Sequence, residues 1–187
     1  MLDGLQKRRE GIKYNSYEGT SLVLIKCLVQ SGAIRKNESI LDIGCGTGIF
    51  LIYLHSIGFK KLYGIELDKN LIESAHKNIG NYGKHRDVSG INLKHGDATK
   101  MSMPDDIEVF YFFNPFYNSN TYSECFHRIH ESVLRNNRKI KLVFLYPTIS
   151  TRLALEEHTW LKKLWRIHEE GYPCSKCVHF LVYENTL

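Results

Sequence analysis

The sequence predicts an α/β fold with a doubly wound, mostly parallel sheet and helices on both faces. An apolar, β-branched run at 40–43 leads directly into a glycine-rich turn and then into a segment with helical periodicity at 49–57. Strand-like and helix-like segments continue to alternate along the chain. An acidic residue, Glu66, lies near the end of the second strand-like segment. This order is typical of open sheets that bind a ligand at the carboxyl ends of their strands.

Each element follows from a local pattern of apolar and turn residues. Strands are predicted from short apolar runs bounded by turn residues, at 40–43, 61–68, 91–95, 107–113 and 139–146. Helices are predicted where apolar residues recur at helical spacing, at 21–34, 49–57, 70–80, 121–134 and 150–157. We expect Gly80 to end the third helix and 81–90 to form a surface loop. In the second helix, most of the apolar residues are expected to share one face, namely Ile49, Leu51, Ile52, Leu54 and Ile57.

Length and composition indicate one globular domain. The chain has 187 residues and is 43% hydrophobic, so we expect a single domain over 1–187 with a mobile arm over 1–17. Its formal charge is +5, and the basic residues are mostly scattered along the sequence. This distribution fits a polyanionic partner or an ordinary solvated surface equally well. No apolar run approaches the ~20 residues that cross a bilayer, and the N-terminus lacks a signal-peptide core. We therefore expect a cytoplasmic protein with no membrane partner.

The glycine turn identifies the kind of ligand. Its pattern is G-x-G-x-G, preceded by Asp42, whereas a dinucleotide loop is G-x-G-x-x-G and a phosphate loop carries Gly-Lys-Ser/Thr. The stretch Leu41-Asp42-Ile43-Gly44-Cys45-Gly46-Thr47-Gly48 resembles the first signature of class I S-adenosylmethionine-dependent methyltransferases. The resemblance implies that this loop holds the methionine and ribose portions of S-adenosylmethionine. The cofactor-binding residues so implied are Asp42, Gly44, Cys45, Gly46 and Gly48.

Two acidic residues further along fit the same cofactor. Glu66 lies 22 positions after Gly44, close to the offset of ~20 at which an acid accepts hydrogen bonds from ribose hydroxyls. Leu67 follows Glu66 and is assigned to the same site. The stretch Gly96-Asp97-Ala98-Thr99 resembles the family's next cofactor signature, in which Asp97 accepts from the adenine amino group and the backbone at Ala98 reads a ring nitrogen. The alternatives are a solvent-facing acid and a plain turn.

A turn before the first helix resembles another family feature. Tyr17-Glu18-Gly19-Thr20 is similar to the Tyr-Glu-Pro-Thr turn that flanks the cofactor's methionine end, with Gly19 in place of proline. This resemblance implies that Thr20 is a cofactor-binding residue. A plain N-cap for the helix is the alternative.

The fourth strand ends in Asn114-Pro115-Phe116-Tyr117, beside the end of the first strand and at the point where the sheet reverses. The stretch resembles the Asn/Asp-Pro-Pro-Tyr/Phe tetrad of amino-group methyltransferases, with Phe116 in place of the second proline. The resemblance implies catalytic roles for Asn114, Pro115 and Phe116. In the family's tetrad the side-chain amide and the proline-fixed backbone carbonyl accept from the target nitrogen, and the tetrad's aromatic residue stacks on the substrate. Asn114 is also assigned to an edge of the cofactor. A cofactor-side wall and a structural proline turn remain alternatives.

The cysteines argue against both a disulfide framework and a metal. Five cysteines at irregular spacing indicate reduced thiols. Cys174, Cys177 and His179 supply three of the four ligands that zinc requires, with His168 across the turn as a fourth, and we predict no metal site. Cys45 is interpreted as a small packing residue rather than a nucleophile, since no base follows at a recognisable spacing.

These residues together predict a seven-stranded sheet with a Rossmann-like methyltransferase fold. The resemblance implies that an antiparallel strand pair, around 160–168 and 178–183, closes the sheet. The predicted function is S-adenosylmethionine-dependent methyl transfer to an acceptor that the sequence does not identify, with an amino group as one candidate. The alternatives are a non-catalytic S-adenosylmethionine-binding sensor or partner subunit, and a dinucleotide-binding oxidoreductase. The acceptor class stays open among nucleic acid, protein and small molecule.

Overall fold

The computed structural model describes residues 18–167 and 180–186. The strands are β1 (Ile40–Ile43), β2 (Leu62–Glu66), β3 (Ile91–His95), β4 (Val109–Phe112), β5 (Lys141–Leu145), β6 (Leu161–Ile167) and β7 (Phe180–Asn185). The helices are α1 (Leu22–Gln30), α2 (Ile49–Ser56), α3 (Lys69–Tyr82), α4 (Ser119–Arg135) and α5 (Ile149–Glu157), with a 3₁₀ turn at Gly83–His85. The arm predicted at 1–17 and the cysteine turn at 174–177 lie outside the described residues.

The seven strands form one sheet in the order β3-β2-β1-β4-β5-β7-β6. β1 pairs in parallel with β2 on one side and β4 on the other, so the chain reverses its direction of travel across the sheet at β1. β7 runs antiparallel between β5 and β6. The doubly wound fold and its antiparallel C-terminal pair are therefore confirmed.

The central strands are apolar because both of their faces are covered. All residues of β1 and β4 are buried, as expected for parallel strands with helices on either side. On one face Leu41, Phe110 and Phe112 pack with the apolar residues of α4. On the other face Ile40 and Val109 pack with α1 and α2. The two cores hold β1 and β4 side by side, which fixes the crevice between their carboxyl ends.

α2 buries Leu51 and Leu54 of the predicted apolar face, but not Ile49. Ile49 is 42% exposed, and the buried residues are Phe50, Leu51, Leu54 and His55. The Phe50 ring stacks on a residue of β4, Tyr111, with ring centroids 4.1 Å apart. This long-range contact turns Ile49 outward.

α3 runs past the predicted stop at Gly80 and ends at Tyr82. A glycine inside a helix costs only about 1 kcal/mol relative to alanine, so Gly80 does not have to end α3. The Tyr82 hydroxyl lies 3.1 Å from Nδ1 of His55 in α2, and this contact holds the extra turn in place. The predicted loop at 81–90 therefore begins as the end of a helix. In the described part of the chain, no helix is both long and apolar enough to span a membrane.

Candidate functional site

A cavity of about 330 Å³ opens at the carboxyl ends of β1, β2 and β4. This is the edge of the sheet at which the sequence predicts a ligand, and the volume lies within the ~300–1,000 Å³ range of small-molecule sites. Seven predicted site residues line it: Gly44, Glu66, Leu67, Ala98, Asn114, Pro115 and Phe116. Six others lie outside its lining: Thr20, Asp42, Cys45, Gly46, Gly48 and Asp97.

The glycine turn packs directly against the Asn-Pro turn. The N–H groups of Gly44 and Cys45 both donate to the carbonyl of Ile65, at 2.9 and 3.0 Å, which ties the turn to β2. Gly44 has a φ of 79°, and a Cβ built there would lie 2.9 Å from the Cβ of Pro115. Glycine is therefore required at 44 for both its conformation and its close approach. The result is a backbone-lined cavity wall that no side chain fills.

Glu66 joins the glycine turn to the start of α3. Its Oε2 accepts from the N–H of Gly46 and its Oε1 from the N–H of Asp68, both at 2.8 Å. Asp68 in turn caps α3, because its Oδ1 accepts from the N–H groups of Asn70 and Leu71. Each carboxylate oxygen can accept a second hydrogen bond. Glu66 can therefore hold the loop and still accept from a ligand's hydroxyl groups in the cavity.

Asp42 lies beneath the turn rather than on the cavity wall. Its side chain is 4% exposed, and no other described residue forms a hydrogen bond with its carboxyl group. Burial first, and the nearby charge of Glu66 second, hold the pKa of Asp42 well above its usual range. The protein therefore favours the neutral carboxyl form at this position.

Cys45 packs away from the cavity onto β2. A Cβ at Gly64 would lie 2.7 Å from the Cys45 Sγ, so the strand leaves room for this thiol by having glycine there. Burial, with the charges of Asp42 and Glu66, raises the pKa of Cys45. Such a thiol is a poor nucleophile, which agrees with its interpretation as a packing residue.

Thr20 connects the segment before α1 to β4. Its hydroxyl lies 3.0 Å from the hydroxyl of Tyr111, which is fully buried in the core. Burial holds the pKa of Tyr111 well above its usual value, so the phenol stays protonated. Two residues earlier in the chain, Glu18 lines the cavity. The segment containing Thr20 therefore approaches the site while the Thr20 side chain contacts β4.

Asp97 belongs to a tight turn after β3. Its Oδ1 accepts from the backbone N–H and the hydroxyl of Thr99, at 3.0 and 2.8 Å. Its Oδ2 lies 3.4 Å from the Nζ of Lys100. The neighbours Gly96 and Ala98 line the cavity, and Asp97 does not. Its side chain therefore shapes the turn that presents the backbone to the cavity.

The Asn-Pro-Phe stretch forms the wall opposite β2. Asn114 has a φ of 45°, and its Nδ2 donates to the carbonyl of Tyr146 at 3.0 Å. Phe116 is only 3% exposed, and its ring packs edge to face on Tyr122 with centroids 5.0 Å apart. The Phe116 ring is thus largely part of the core, with one edge at the cavity.

Several cavity residues were not predicted from the sequence: Glu18, Ile43, Ile65, Asp68, Leu71, Gly96 and Phe113. Most of them immediately adjoin a predicted residue at the end of a strand, and that adjacency is the signal that would have found them. Leu71 has the helical spacing of a core residue of α3. It lies in the first turn of that helix, next to the carboxyl end of β2, and so faces the cavity.

The site offers hydrogen-bond acceptors and apolar walls. Among residues 18–167 and 180–186, no group of three or more His, Cys, Asp and Glu side chains is arranged to hold a metal ion. The possible zinc ligands Cys174, Cys177, His168 and His179 lie outside the described residues. The arrangement therefore suits binding and positioning of an organic ligand that carries its own reactive group.

Comparison with known proteins identifies similar chains. A family model described as a methyltransferase domain matches residues 40–137. A ribosomal protein L11 methyltransferase from Thermotoga neapolitana is 24% identical over 137 residues, which cover 73% of this chain and 47% of that protein. The chain thus spans less than half the length of this relative.

Two solved structures have a similar fold. An RNA methyltransferase from Salinibacter ruber, in complex with S-adenosyl-L-homocysteine, has a TM-score of 0.61 and 15% identity over 90% of this chain and 93% of that one. Magnesium protoporphyrin IX methyltransferase from Synechocystis PCC 6803, with bound S-adenosylmethionine, has a TM-score of 0.59 and 14% identity over 98% of this chain and 81% of that one.

Proposed function

The chain belongs to the class I S-adenosylmethionine-dependent methyltransferase family, and we propose that it binds S-adenosylmethionine in the cavity and transfers the methyl group to an acceptor. One observation carries this proposal. The Gly44 turn lies against Pro115 with no room for a Cβ, while Glu66 holds the same turn and faces the cavity. The cavity thus combines a wall of exposed backbone, at the glycine turn, with the carboxylate of Glu66.

The residues present fit the cofactor part by part. Glu66 has acceptor positions left for the ribose hydroxyls. Leu67, Leu71 and Ala98 supply apolar surface on the side of β2 and β3, which suits the adenine ring. The backbone of the glycine turn supports the methionine portion.

The cofactor supplies an activated methyl group on a sulfonium. The chain needs to place the acceptor in line with that group and to exclude water. Asn114 and Pro115 follow β4 and line the cavity beside Gly44, where they orient the acceptor. An amide can accept from an acceptor N–H without carrying charge, which leaves the nitrogen lone pair directed at the methyl group. An amino group is therefore the acceptor that we propose.

The family does not by itself select the acceptor molecule. The relatives and neighbours are named for a ribosomal protein, an RNA and a magnesium porphyrin, which are three chemical classes. The acceptor must therefore be found by experiment on this chain.

The test is transfer of labelled methyl from S-adenosylmethionine to cell extract separated into RNA, protein and small-molecule pools. We expect label in one pool. Asn114→Ala should keep cofactor affinity and lower transfer by roughly a hundredfold or more, the scale expected when positioning is lost. Asn120→Ala, an exposed residue of α4, is the matched control and should transfer normally.

Two outcomes would contradict the proposal. Cofactor binding without label in any pool would favour the sensor or partner-subunit alternative. A wild-type rate in Asn114→Ala would show that Asn-Pro-Phe is a structural turn.

A further inference from the structure

Three basic loops meet at the edge of the sheet opposite the cavity. β1, β2 and β3 are parallel, so the loops that precede them, 31–39, 57–61 and 83–90, all lie at that edge. β2 has five residues, which at ~3.3 Å per residue places this edge roughly 17 Å from the cavity. The basic residues of the three loops are Arg35, Lys36, Lys60, Lys61, Lys84 and Arg86. We call these six residues the amino-edge surface.

Contacts between the loops make the amino-edge surface continuous. A Cβ built at Gly58 would lie 3.6 Å from Nζ of Lys36, so the amino group of Lys36 lies over the loop before β2. The carbonyl of Gly90 accepts from the first N–H of β2 at 2.8 Å, which joins that loop to the one before β3. There the Arg86 guanidinium lies over the Tyr82 ring, 4.9 Å from its centroid.

The charges of the amino-edge surface are not neutralised by the protein. All six side chains are exposed, and none of them forms an ion pair with another residue of the described chain. The acidic residues of the same loops are Glu38 and Asp87. Glu38 pairs with Lys141 at 2.8 Å, and Asp87 accepts from the N–H of Ser89 at 2.9 Å. Like charges held together in this way repel one another and attract anions.

The basic run at 135–141 has a different role, because the fold uses most of its charges. Arg135 pairs with Asp105 at 2.7 Å. Arg138 donates to two backbone carbonyls, at 2.8 and 2.9 Å. Lys141 forms the ion pair described above. The run is therefore mainly structural, whereas the amino-edge surface is assembled from three separate segments.

The two edges of the sheet carry opposite charges. Three acidic residues line the cavity, Glu18, Glu66 and Asp68, and among the described lining residues there is no Lys or Arg. A polyanion is therefore attracted to the amino edge and repelled from the cavity.

The composition of the loops selects the kind of polyanion. Surfaces that bind membranes insert apolar side chains beside their basic residues. In the three loops no apolar side chain is exposed, and Ile34 and Phe59 are buried. Lysine and arginine without apolar neighbours suit a water-soluble chain of repeated phosphates.

We propose that the amino-edge surface binds the phosphate backbone of a nucleic acid. The inference is independent of the proposed function, since the surface shares no residue with the described cavity lining. It assigns a partner to the edge of the molecule that faces away from methyl transfer.

The experiment measures binding of labelled single-stranded RNA, and of DNA of the same sequence, by fluorescence anisotropy over a series of salt concentrations. We expect the logarithm of the RNA association constant to fall with the logarithm of salt concentration with a slope of about −4, the value for about six phosphate contacts on a single strand. The double variant Lys60→Gln, Lys84→Gln should reduce the size of that slope by about 1.4 and weaken binding. Its affinity for S-adenosylhomocysteine should equal that of wild type, which also shows that it is folded.

The matched control is Lys26→Gln, Lys163→Gln, which removes the same charge from exposed lysines of α1 and β6. This variant should keep the wild-type slope. Equal weakening in both double variants, or no RNA binding by wild type, would overturn the proposal. Tighter binding of anionic lipid vesicles or of polyglutamate than of RNA would also overturn it. Tighter binding of DNA than of RNA would leave the surface assigned and identify DNA as the partner.

Discussion

Glu66 is the residue on which the site depends most, because its two oxygens hold two different segments. One accepts from the Gly46 N–H and the other from the Asp68 N–H. The sequence predicts a carboxylate here for the ribose hydroxyls. The structure adds that the same carboxylate stabilises the glycine turn and the start of α3, which no spacing rule indicates.

Glu66→Ala is expected to weaken S-adenosylhomocysteine binding by about 1–3 kcal/mol, roughly 5- to 150-fold, because buried hydrogen-bonding groups lose their partner. Calorimetric titration measures this loss. Glu73→Ala is the control, since Glu73 forms an exposed pair with Lys69 at 4.0 Å and such pairs contribute little. Equal affinity in both variants would remove Glu66 from the site.

Asp42 gives the protein a pH dependence of unusual sign. Burial raises its pKa in the folded state, so the folded protein binds the proton more tightly than the unfolded chain does. Stability is then lost as pH rises from the ordinary aspartate pKa of about 4 through the raised value. Asp42→Asn should be more stable than wild type at pH 8, and the difference should disappear towards pH 4.

Asp105 is the matched control for that measurement, with the opposite sign. Its hydrogen bonds with Arg135 hold its pKa below the usual value, so its contribution is present above about pH 4 and is lost on acidification. Asp105→Asn should therefore be less stable than wild type at pH 8. Urea unfolding at several pH values measures both variants. Parallel pH profiles for wild type and Asp42→Asn would contradict the buried-carboxyl account.

At the scale of elements, the β1–α2 turn and the β4–α4 turn form the two sides of the crevice. Gly44 and Pro115 make the contact between them. Each turn belongs to a separate signature in the sequence, and both were predicted as site elements. Their direct packing follows from the pairing of β1 with β4.

Gly44→Ala tests this contact. A left-handed φ costs alanine about 1–2 kcal/mol, and the new Cβ would also meet Pro115. Gly32→Ala is the control for the first effect alone, because Gly32 has a φ of 76° and nothing within 4 Å of a Cβ. Gly44→Ala should lose more stability in thermal unfolding than Gly32→Ala, because only its Cβ would also meet Pro115. Only Gly44→Ala should lose S-adenosylhomocysteine affinity, and retained affinity there would show that the turns can separate without effect.

At the scale of the whole molecule, the strands were predictable because strands that are buried in a sheet consist of short apolar runs of sequence. β1, β4 and β5 are central and nearly all buried, and β3 matched its predicted bounds. The burial of Phe50 and the exposure of Ile49 in α2 were not predictable, since they depend on the stack of Phe50 on Tyr111 about sixty positions later. Long-range contacts of this kind leave no periodic signal.

The same reason limits prediction of the site. Residues that follow a strand end, such as Gly44 and Glu66, can be placed from sequence because topology brings strand ends together. The exposure of Tyr146 and the burial of Phe116 depend on how two neighbouring turns pack and on two positive φ angles. The resemblance to a known tetrad therefore located the turn at the cavity, but it did not show that Phe116 is buried and that Tyr146 is exposed.

The most direct test of the account is calorimetric titration of the purified chain with S-adenosylmethionine, S-adenosylhomocysteine and NAD. The G-x-G-x-G turn and Glu66 predict saturable binding of the first two with one site per chain, and no binding of NAD. Tight binding of NAD with no response to S-adenosylmethionine would contradict the central claim.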